Sequence, residues 1–309
     1  MTNLNKIISL ARSILPGFTP DYVSEIAPVA MVKELYDRML MDNLLSLSDS
    51  GVTDGCVADR NVTVSLTSFG ERINWVDVVI ESLMEQTVKA NRIVLWLDRR
   101  HSGGSSLPAS FGKLGKRGLE IRFCTDVGPA TKLIPSLREF PDDIIITVDD
   151  DQLYDYDLFD RLLTAHRIHP EAICADWFQG VVIESSGIPV CDYKTSWGPD
   201  DGLMTAPVPL GVGGVLYPPG CLDERVFDIE TMQRLAPKAD DLWFKTMGLL
   251  KGTPVFASRH GDVTKNEIFS HECYPIELAL RHTNLSEGQN DVQLKRLFDH
   301  FDLYRFYRL

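Results

Sequence analysis

The sequence predicts an α/β protein with a mainly parallel sheet, helices on both of its faces and a small helical segment at the N-terminus. From Asn61 onward, short apolar runs rich in β-branched residues alternate with amphipathic runs of helical period. Strands that alternate with helices pair in parallel, because each helix returns the chain to the starting edge. In such sheets ligands bind at the carboxyl ends of the strands. We therefore expect the functional residues to follow the strands.

Four strands and three helices are predicted after Asn61. The strands span residues 62–66, 93–97, 119–123 and 144–148, and the helices span residues 75–86, 131–139 and 156–168. The fourth strand is β-branched throughout and apolar apart from Thr147, which predicts burial on both faces. Pro135 must lie in the first turn of its helix or kink it. A last core strand is predicted at 255–258.

The first 55 residues predict a helical N-terminal extension, so that the main domain spans residues 56–309. The polar, turn-rich run 46–54 predicts a linker between them. The amphipathic stretch 7–14 is expected to pack on the main domain. Peripheral contact with a membrane surface is the alternative, although this stretch has few basic residues.

Composition and charge are those of a globular chain with an acidic balance. Hydrophobic residues make up 44% of the 309 residues and charged residues 24%, which predicts a sizeable buried core. Acidic residues outnumber basic ones by 44 to 31, for a net charge of -13. A field of this sign disfavours nucleic acid and anionic membranes as general partners. A diphosphate substrate would need a local cation.

The cysteines and the N-terminus predict a cytoplasmic protein. None of the six cysteines forms a CxxC pair, so a zinc knuckle is not expected. Several lie in apolar runs, as buried free thiols do, which indicates a reducing compartment. The sequence shows neither a signal-peptide pattern nor a run of about 20 apolar residues that would span a membrane.

Three consecutive carboxylates, Asp149, Asp150 and Asp151, follow the apolar fourth strand. Side chains alternate along an extended chain, so Asp149 and Asp151 are expected on one side, where they can hold Mg²⁺ or Mn²⁺. A solvated acidic turn is the alternative, which the buried strand before it and the amphipathic helix after it disfavour. An EF-hand loop is a poor fit, because Tyr154 occupies the position that needs glycine.

A series of motifs in a fixed order gives the sequence a recognisable resemblance. They are VSLTSFGERI at 64–73, IESLMEQT at 80–87, RIVLWLD at 92–98, LEIRFCTDVGPATKLIPSL at 119–137, DDIIITVDDD at 142–151, GVGGVLYPPG at 211–220 and ADDLWFK at 239–245. Together they resemble the GT-A glycosyltransferases of the family 2 type and their bacterial polysaccharide and lipopolysaccharide relatives. The resemblance covers roughly residues 61 to 260.

The resemblance implies a GT-A fold and a metal-dependent transfer of sugar. The donor would be a nucleotide-diphosphate sugar, with a UDP-sugar favoured, and the acceptor a glycan or a lipid-linked glycan. Mn²⁺ or Mg²⁺ would be held by Asp149 and Asp151, with His260 or His271 as a further ligand. Each histidine could equally be an ordinary surface or packed residue.

The same resemblance assigns eight residues to the nucleotide. They are Thr67, Ser68, Arg72, Asp98, Asp126, Lys132, Asp149 and Asp150. Hydroxyl and guanidinium groups suit a ribose and a diphosphate. The alternatives are a surface salt bridge for Arg72, a loop cap for Asp98 and a solvated helix position for Lys132.

The resemblance also places a catalytic base and a cleft. An inverting transfer needs a carboxylate that takes the proton of the acceptor hydroxyl. Asp241 is the expected base, with Asp240 orienting the acceptor, and N-capping of the following helix is the alternative. Gly213 and Gly214 are expected to line the sugar and acceptor cleft. They do not form a dinucleotide site, because prolines at 218 and 219 prevent the helix such a site requires.

Two other functional classes are considered. A sugar-nucleotide pyrophosphorylase would carry a glycine-rich, basic loop after the first strand, and SFGERI contains one glycine. A non-catalytic carbohydrate-binding module of the same fold would be expected to lose one of the two acidic motifs, and both are present.

Overall fold

The computed structural model describes residues 48–100, 107–259 and 288–307, together with a few helical positions between 39 and 46. Most of the predicted N-terminal extension, His260 and His271 lie outside the described residues. Within the described ranges no helix has both the length and the apolar character needed to cross a membrane.

In the part of the chain that the structure describes, ten strands form two sheets. In chain order they are β1 (Val62–Thr67), β2 (Arg92–Asp98), β3 (Leu119–Cys124), β4 (Ile144–Thr147), β5 (Ile173–Ala175), β6 (Phe178–Ile183), β7 (Pro189–Asp192), β8 (Val208–Pro209), β9 (Val215–Tyr217) and β10 (Val255–Ala257). The main sheet has seven strands in the order β10-β5-β9-β4-β1-β2-β3, and a small antiparallel sheet has the order β7-β6-β8. Strand β9 is antiparallel to both of its neighbours, and the other pairs of the main sheet are parallel.

Within residues 48–100, 107–259 and 288–307, seven helices pack around the main sheet. They are α1 (Val76–Met84), α2 (Ser110–Lys116), α3 (Ile134–Glu139), α4 (Leu158–Ile168), α5 (Ile229–Leu235), α6 (Asp240–Lys251) and α7 (Gln289–Phe301). Two hydrophobic clusters lie on opposite faces of the sheet: α1, α2 and α4 cover one, and α3, α5, α6 and α7 cover the other. Within β4, Ile144 and Ile146 belong to the first cluster and Ile145 to the second. The prediction of a mainly parallel α/β sheet with helices on both faces is confirmed.

Two buried serine hydroxyls and an indole N–H form a hydrogen-bonded group inside the domain. The Ser65 hydroxyl lies 2.7 Å from that of Ser136, and the Trp96 indole N–H donates to Ser136 at 2.7 Å. Ser65 also donates to the backbone carbonyl of Lys132. Burying polar groups is favourable only when they are bonded to one another. This group therefore ties β1, β2 and α3 to the short turn that carries Lys132.

Two predicted elements differ from the structure. The helix expected at 131–139 is divided into a 3-10 turn, Ala130–Lys132, and the helix α3, with Pro135 in its first turn as predicted. The fourth strand ends at Thr147, before the acidic triplet begins. Both differences lie beside the predicted site and change how its side chains are directed.

The run predicted as a linker is bonded to the main domain. The N–H of Gly51 donates to the carbonyl of Arg117 at 2.8 Å, and that of Thr53 donates to the carbonyl of Ala90 at 2.9 Å. A Cβ added at Gly51 would lie 2.3 Å from the side chain of Met84. Residues 51–53 therefore pack closely on the domain, and a boundary at residue 55 stays a prediction that these contacts do not favour.

Candidate active site

The predicted site residues follow the carboxyl ends of the parallel strands. Ser68 follows β1, Asp98 ends β2, Asp126 follows β3 and the triplet 149–151 follows β4. Because these strands are parallel, their carboxyl ends lie along one edge of the sheet. The sequence-based expectation that the polar residues share this edge agrees with the observed pairing.

The acidic triplet lies in a turn instead of an extended strand end. Asp149 donates its backbone N–H to the hydroxyl oxygen of Tyr154 at 2.7 Å, and Asp150 and Asp151 form the turn that follows. Asp149 contacts Lys132, whereas Asp150 and Asp151 both contact Arg72. The strand has already ended here, so the turn and not strand alternation directs these side chains. A shared metal site of Asp149 and Asp151 stays a prediction.

Arg72 holds the second half of the triplet. It lies in the 3-10 turn Gly70–Asn74, with Nη1 3.1 Å from Oδ1 of Asp150 and Nη2 in contact with Oδ2 of Asp151. Only 7% of Arg72 is exposed, so the alternative of a surface salt bridge does not apply. Burial raises the pKa of Asp150 to about 6 against the opposing effect of Arg72, and burial together with the charge of Asp149 raises that of Asp151.

Lys132 joins the two acidic motifs. Its Nζ lies 2.6 Å from Oδ1 of Asp149 and 3.0 Å from Oδ2 of Asp240. The side chain is buried, which by itself would lower its pKa. The carboxylates of Asp149, Asp240 and Asp241 nonetheless hold the pKa of Lys132 well above its ordinary value. Lys132 is therefore a buried ammonium ion and not a solvated helix residue.

Asp240 and Asp241 begin helix α6. The residue before them, Ala239, occupies the cap position, and no side chain caps the helix there. Oδ1 of Asp241 accepts a hydrogen bond from the backbone N–H of Gly211 at 3.1 Å. Burial and the neighbouring charge of Asp240 raise the pKa of Asp241 to about 8, although Lys132 acts in the opposite direction. Such a carboxyl group can exchange a proton near neutral pH.

The three glycines of the GVGG motif have different surroundings. A Cβ at Gly213 would lie 2.7 Å from the ring of Trp177, and Gly214 has a φ of +84° and faces Leu158. Their contacts are with packed side chains, so a place in the sugar cleft stays a prediction for both. Gly211 instead lies against Lys132, Asp149 and Asp241.

Three other predicted nucleotide residues make local bonds. Thr67 donates its hydroxyl to the carbonyl of Trp96 at 2.9 Å. The carboxylate of Asp98 accepts from the backbone N–H of Arg100 at 2.9 Å and pairs with its guanidinium group. Asp126 accepts from the N–H of Gly128 at 2.8 Å. These bonds fit loop capping, and contact with a nucleotide stays a prediction. Ser68 is buried beside Asp150.

The donor set of the acidic triplet fits a hard divalent cation in chemistry and in charge. Carboxylate oxygens are the ligands that Mg²⁺ and Mn²⁺ prefer. Oδ2 of Asp150 is buried and has no hydrogen-bond partner within the described residues. The described ranges contain no group of three or more acidic, cysteine or histidine side chains arranged to hold a metal. A cation bound by Asp149 and Asp151 would therefore need further ligands from substrate, from water or from other residues.

Two residues that the sequence reasoning missed position this site. Tyr154 fixes the start of the acidic turn, and Gly211 fixes Asp241. Tyr154 lies five residues after Asp149, which no strand or helix period explains. Gly211 belongs to the GVGG motif, but its neighbours come from three distant segments, which a single sequence does not reveal.

The chain was compared with known protein families, curated proteins and solved structures. No protein-family model and no curated protein matches the sequence. Among solved structures the chain is similar to the mannosyltransferase PcManGT from Pyrobaculum calidifontis in complex with GDP-Man and Mn²⁺, with 14% identity and a TM-score of 0.33 over 55% of this chain and 46% of that chain. It is also similar to CMP:2-keto-3-deoxy-manno-octonic acid synthetase complexed with CTP, with 10% identity and a TM-score of 0.37 over 64% of this chain and 88% of that chain. Likenesses of this size carry no argument about activity.

Proposed function

We propose that this chain is a metal-dependent glycosyltransferase that moves a sugar from a nucleotide-diphosphate sugar to a hydroxyl group of a glycan or lipid-linked acceptor, with inversion at the anomeric carbon. One observation carries the proposal. The buried ammonium group of Lys132 lies between Asp149 of the first acidic motif and Asp240 of the second. Two motifs about 90 residues apart in sequence therefore form one site.

The charge of this site supports a cation-dependent reaction. Five carboxylates lie here, from residues 149–151, 240 and 241, and the side chains of Lys132 and Arg72 contact four of them. Carboxylates in excess of their cations are unfavourable when buried, and they take up either protons or a metal ion. Burial, together with the charge of neighbouring carboxylates, raises the pKa of Asp150, Asp151 and Asp241.

Asp149 and Asp151 would hold Mn²⁺ or Mg²⁺. When bound, such an ion neutralises charge that develops on a departing diphosphate. Arg72 keeps the acidic turn in place through Asp150 and Asp151 and supplies positive charge beside it. Ser68, buried next to Asp150, closes this side of the site. A further ligand from His260 or His271 remains part of the proposal.

Asp241 would act as the base. The acceptor hydroxyl gives its proton to the Asp241 carboxylate while its oxygen bonds to the anomeric carbon, and the bond from that carbon to the diphosphate oxygen breaks. The N–H of Gly211 fixes one carboxylate oxygen of Asp241. Asp240 forms an ion pair with Lys132 and adds the negative charge that raises the proton affinity of Asp241. An acceptor-orienting role for Asp240 stays a prediction.

The nucleotide, the place of action and the extension belong to the same proposal. A UDP-sugar is the favoured donor, and action in the cytoplasm follows from the reducing character inferred from the cysteines. The segment 1–55 would contact the domain or a membrane surface.

The decisive experiment is nucleotide release from a panel of UDP-, GDP- and CDP-sugars by the full chain with Mn²⁺. We expect release with one donor, loss of release in excess EDTA, and an inverted product by NMR. Asp151→Asn should abolish transfer, whereas the matched surface change Asp160→Asn should retain it. Diphosphate formation from a nucleoside triphosphate and a sugar phosphate would instead identify a pyrophosphorylase. Near wild-type turnover by Asp151→Asn, or in EDTA, would rule out the metal assignment.

A further inference from the structure

Gly211 lies at the point where three charged side chains meet. A Cβ added there would lie 2.5 Å from Nζ of Lys132, 3.1 Å from Oδ1 of Asp241 and 3.4 Å from Oδ1 of Asp149. These groups come from the turn before α3, the start of α6 and the turn after β4. Gly211 is therefore in contact with both acidic motifs and with the ammonium group that joins them.

Glycine is favoured at position 211 because a Cβ would contact the neighbouring side chains, and not because of the backbone conformation. Gly214, three residues later, has a φ of +84°, which side-chain-bearing residues rarely adopt. Gly211 is not among the residues with positive φ. An alanine could adopt its backbone conformation, so the cost of a Cβ at this position would come from its neighbours.

The neighbour that a Cβ would strike is the end of a flexible side chain. A contact of 2.5 Å requires a shift, and Nζ of Lys132 can shift without moving the backbone. Its hydrogen bond to Asp149, 2.6 Å, and its ion pair with Asp240, 3.0 Å, would then lengthen or break. An alanine at this position should disturb the charged groups and leave the fold in place.

The backbone of Gly211 also orients the proposed base. Its N–H donates to Oδ1 of Asp241 at 3.1 Å. A backbone donor on a buried turn has no rotamers to lose, so it fixes the carboxylate at a smaller entropic cost than a side chain would. The same residue thus holds Asp241 and leaves room for Lys132.

We propose that Gly211 is a positioning residue of the transfer reaction, which seats the Lys132 ammonium group between the two acidic motifs and sets the orientation of Asp241. This inference rests on the proposed function for its kinetic consequence only. The seating of Lys132 is a structural claim that can be tested without any activity.

The first test is a double-mutant cycle on the stability of the full chain without metal or nucleotide. Gly211→Ala should lower the midpoint of chemical denaturation when Lys132 is present. It should have little effect in the Lys132→Met background, because methionine lacks the ammonium group that the Cβ would strike. An equal shift in both backgrounds would overturn the inference. If Lys132→Met does not fold, the kinetic test below decides.

The second test separates turnover from donor binding. We expect Gly211→Ala to lower kcat about tenfold or more, by a larger factor than any rise in the KM for the donor, because a misplaced base acts on the transition state. Gly112→Ala is the matched control, since a Cβ there meets nothing within 4 Å. An unchanged kcat with a raised KM would overturn the positioning role. If the wild-type chain transferred no sugar from any donor, the proposed function would fail, and the stability cycle would still decide the seating of Lys132.

Discussion

Among the regions where the described residues bury charged side chains, two balance those charges differently. Beneath helix α1, the guanidinium group of Arg117 pairs with Glu81 at 2.5 Å and Glu85 at 3.3 Å, and Lys89 lies near both carboxylates. The two glutamates there have two basic partners, and the carboxylate of the exposed Asp49 also acts on Lys89. At the carboxyl edge of the sheet, five carboxylates meet Lys132 and Arg72.

The comparison separates charge that holds the fold together from charge that is available for chemistry. The Arg117 group also donates from Nε to the carbonyl of Asp49 at 2.9 Å, so it ties the segment before β1 to α1 and α2. A matched set of this kind has no need for another ion. The acidic edge has an excess of carboxylates, which a proton or a metal ion can neutralise. Removing one carboxylate should therefore lower the stability of the matched group and raise the stability of the acidic edge.

The largest effect on stability is expected at the balanced group. Arg117→Met should lower the free energy of unfolding by about 3–5 kcal/mol, because it leaves the fully buried carboxylate of Glu81 without its partner. Chemical denaturation of the full chain would measure it. The matched control is Arg225→Met in the exposed pair with Asp223, which should change the free energy of unfolding by less than about 1 kcal/mol. Equal effects of the two changes would contradict the assigned role of burial.

The next effect is on activity. Asp241→Asn should lower turnover about 100-fold or more while donor binding stays near normal, because the amide cannot accept the proton of the acceptor. The measurement is kcat and donor KM under saturating acceptor. An anomer-retaining product would remove the role of base from both Asp240 and Asp241.

Tyr154 provides a smaller test of the acidic turn. Tyr154→Phe removes the hydroxyl oxygen that accepts the Asp149 N–H at 2.7 Å. We expect a loss of about 1–3 kcal/mol in stability. The Mn²⁺ concentration for half-maximal activity should rise roughly tenfold, because the turn that directs Asp149 loses a hydrogen bond. Tyr193→Phe, at a half-exposed tyrosine that bonds Asn290, should leave both measurements near wild type. An unchanged Mn²⁺ concentration for half-maximal activity would show that the turn keeps its shape without the Tyr154 hydroxyl.

The smallest effect concerns pH. The pKa of Asp241 is raised from its ordinary 3.8 to about 8, so between these values the folded chain binds a proton that the unfolded chain has lost. Stability without metal should therefore rise as the pH falls from 8 toward 6, and Asp150 should add to the rise near pH 6. Thermal unfolding at several pH values would show the trend. Asp241→Asn should flatten it, and an equally steep trend in that variant would exclude Asp241 as its source.

The sequence predicted best those parts of the molecule that have a strong local pattern. The first four strands and helices α1 and α4 were found within a few residues of their observed bounds, since apolar runs and helical periodicity define them. Strands β5 and β9 have three residues each and were not predicted, whereas β10, which is equally short, was predicted at 255–258. Helix α7 was missed although it is amphipathic, because the resemblance did not reach the last residues.

For the candidate site, the sequence identified residues that lie close together but not the directions of their side chains. Lys132 contacts Asp149 and Asp240, and Arg72 contacts Asp150 and Asp151, while the functional roles of these residues stay predictions. The extended conformation expected for the triplet differs from the structure, because the strand ends at Thr147 and the turn that follows depends on Tyr154. Side-chain directions in turns are set by such tertiary bonds, and a single sequence carries no pattern for them.

Strand β9 has a consequence for the order in which this protein folds. It lies between β4 and β5, and its Val215 pairs with Thr147, 68 residues earlier in the chain. The sheet therefore keeps a gap between β4 and β5 until a later segment enters it, and contacts of such long sequence separation form slowly. The turn that contains Gly211 leads directly into this strand. We expect the amides of β9 to gain protection after those of β1 and β2 in pulse-labelling hydrogen exchange, so that the chain acquires its reactive edge at the end of folding.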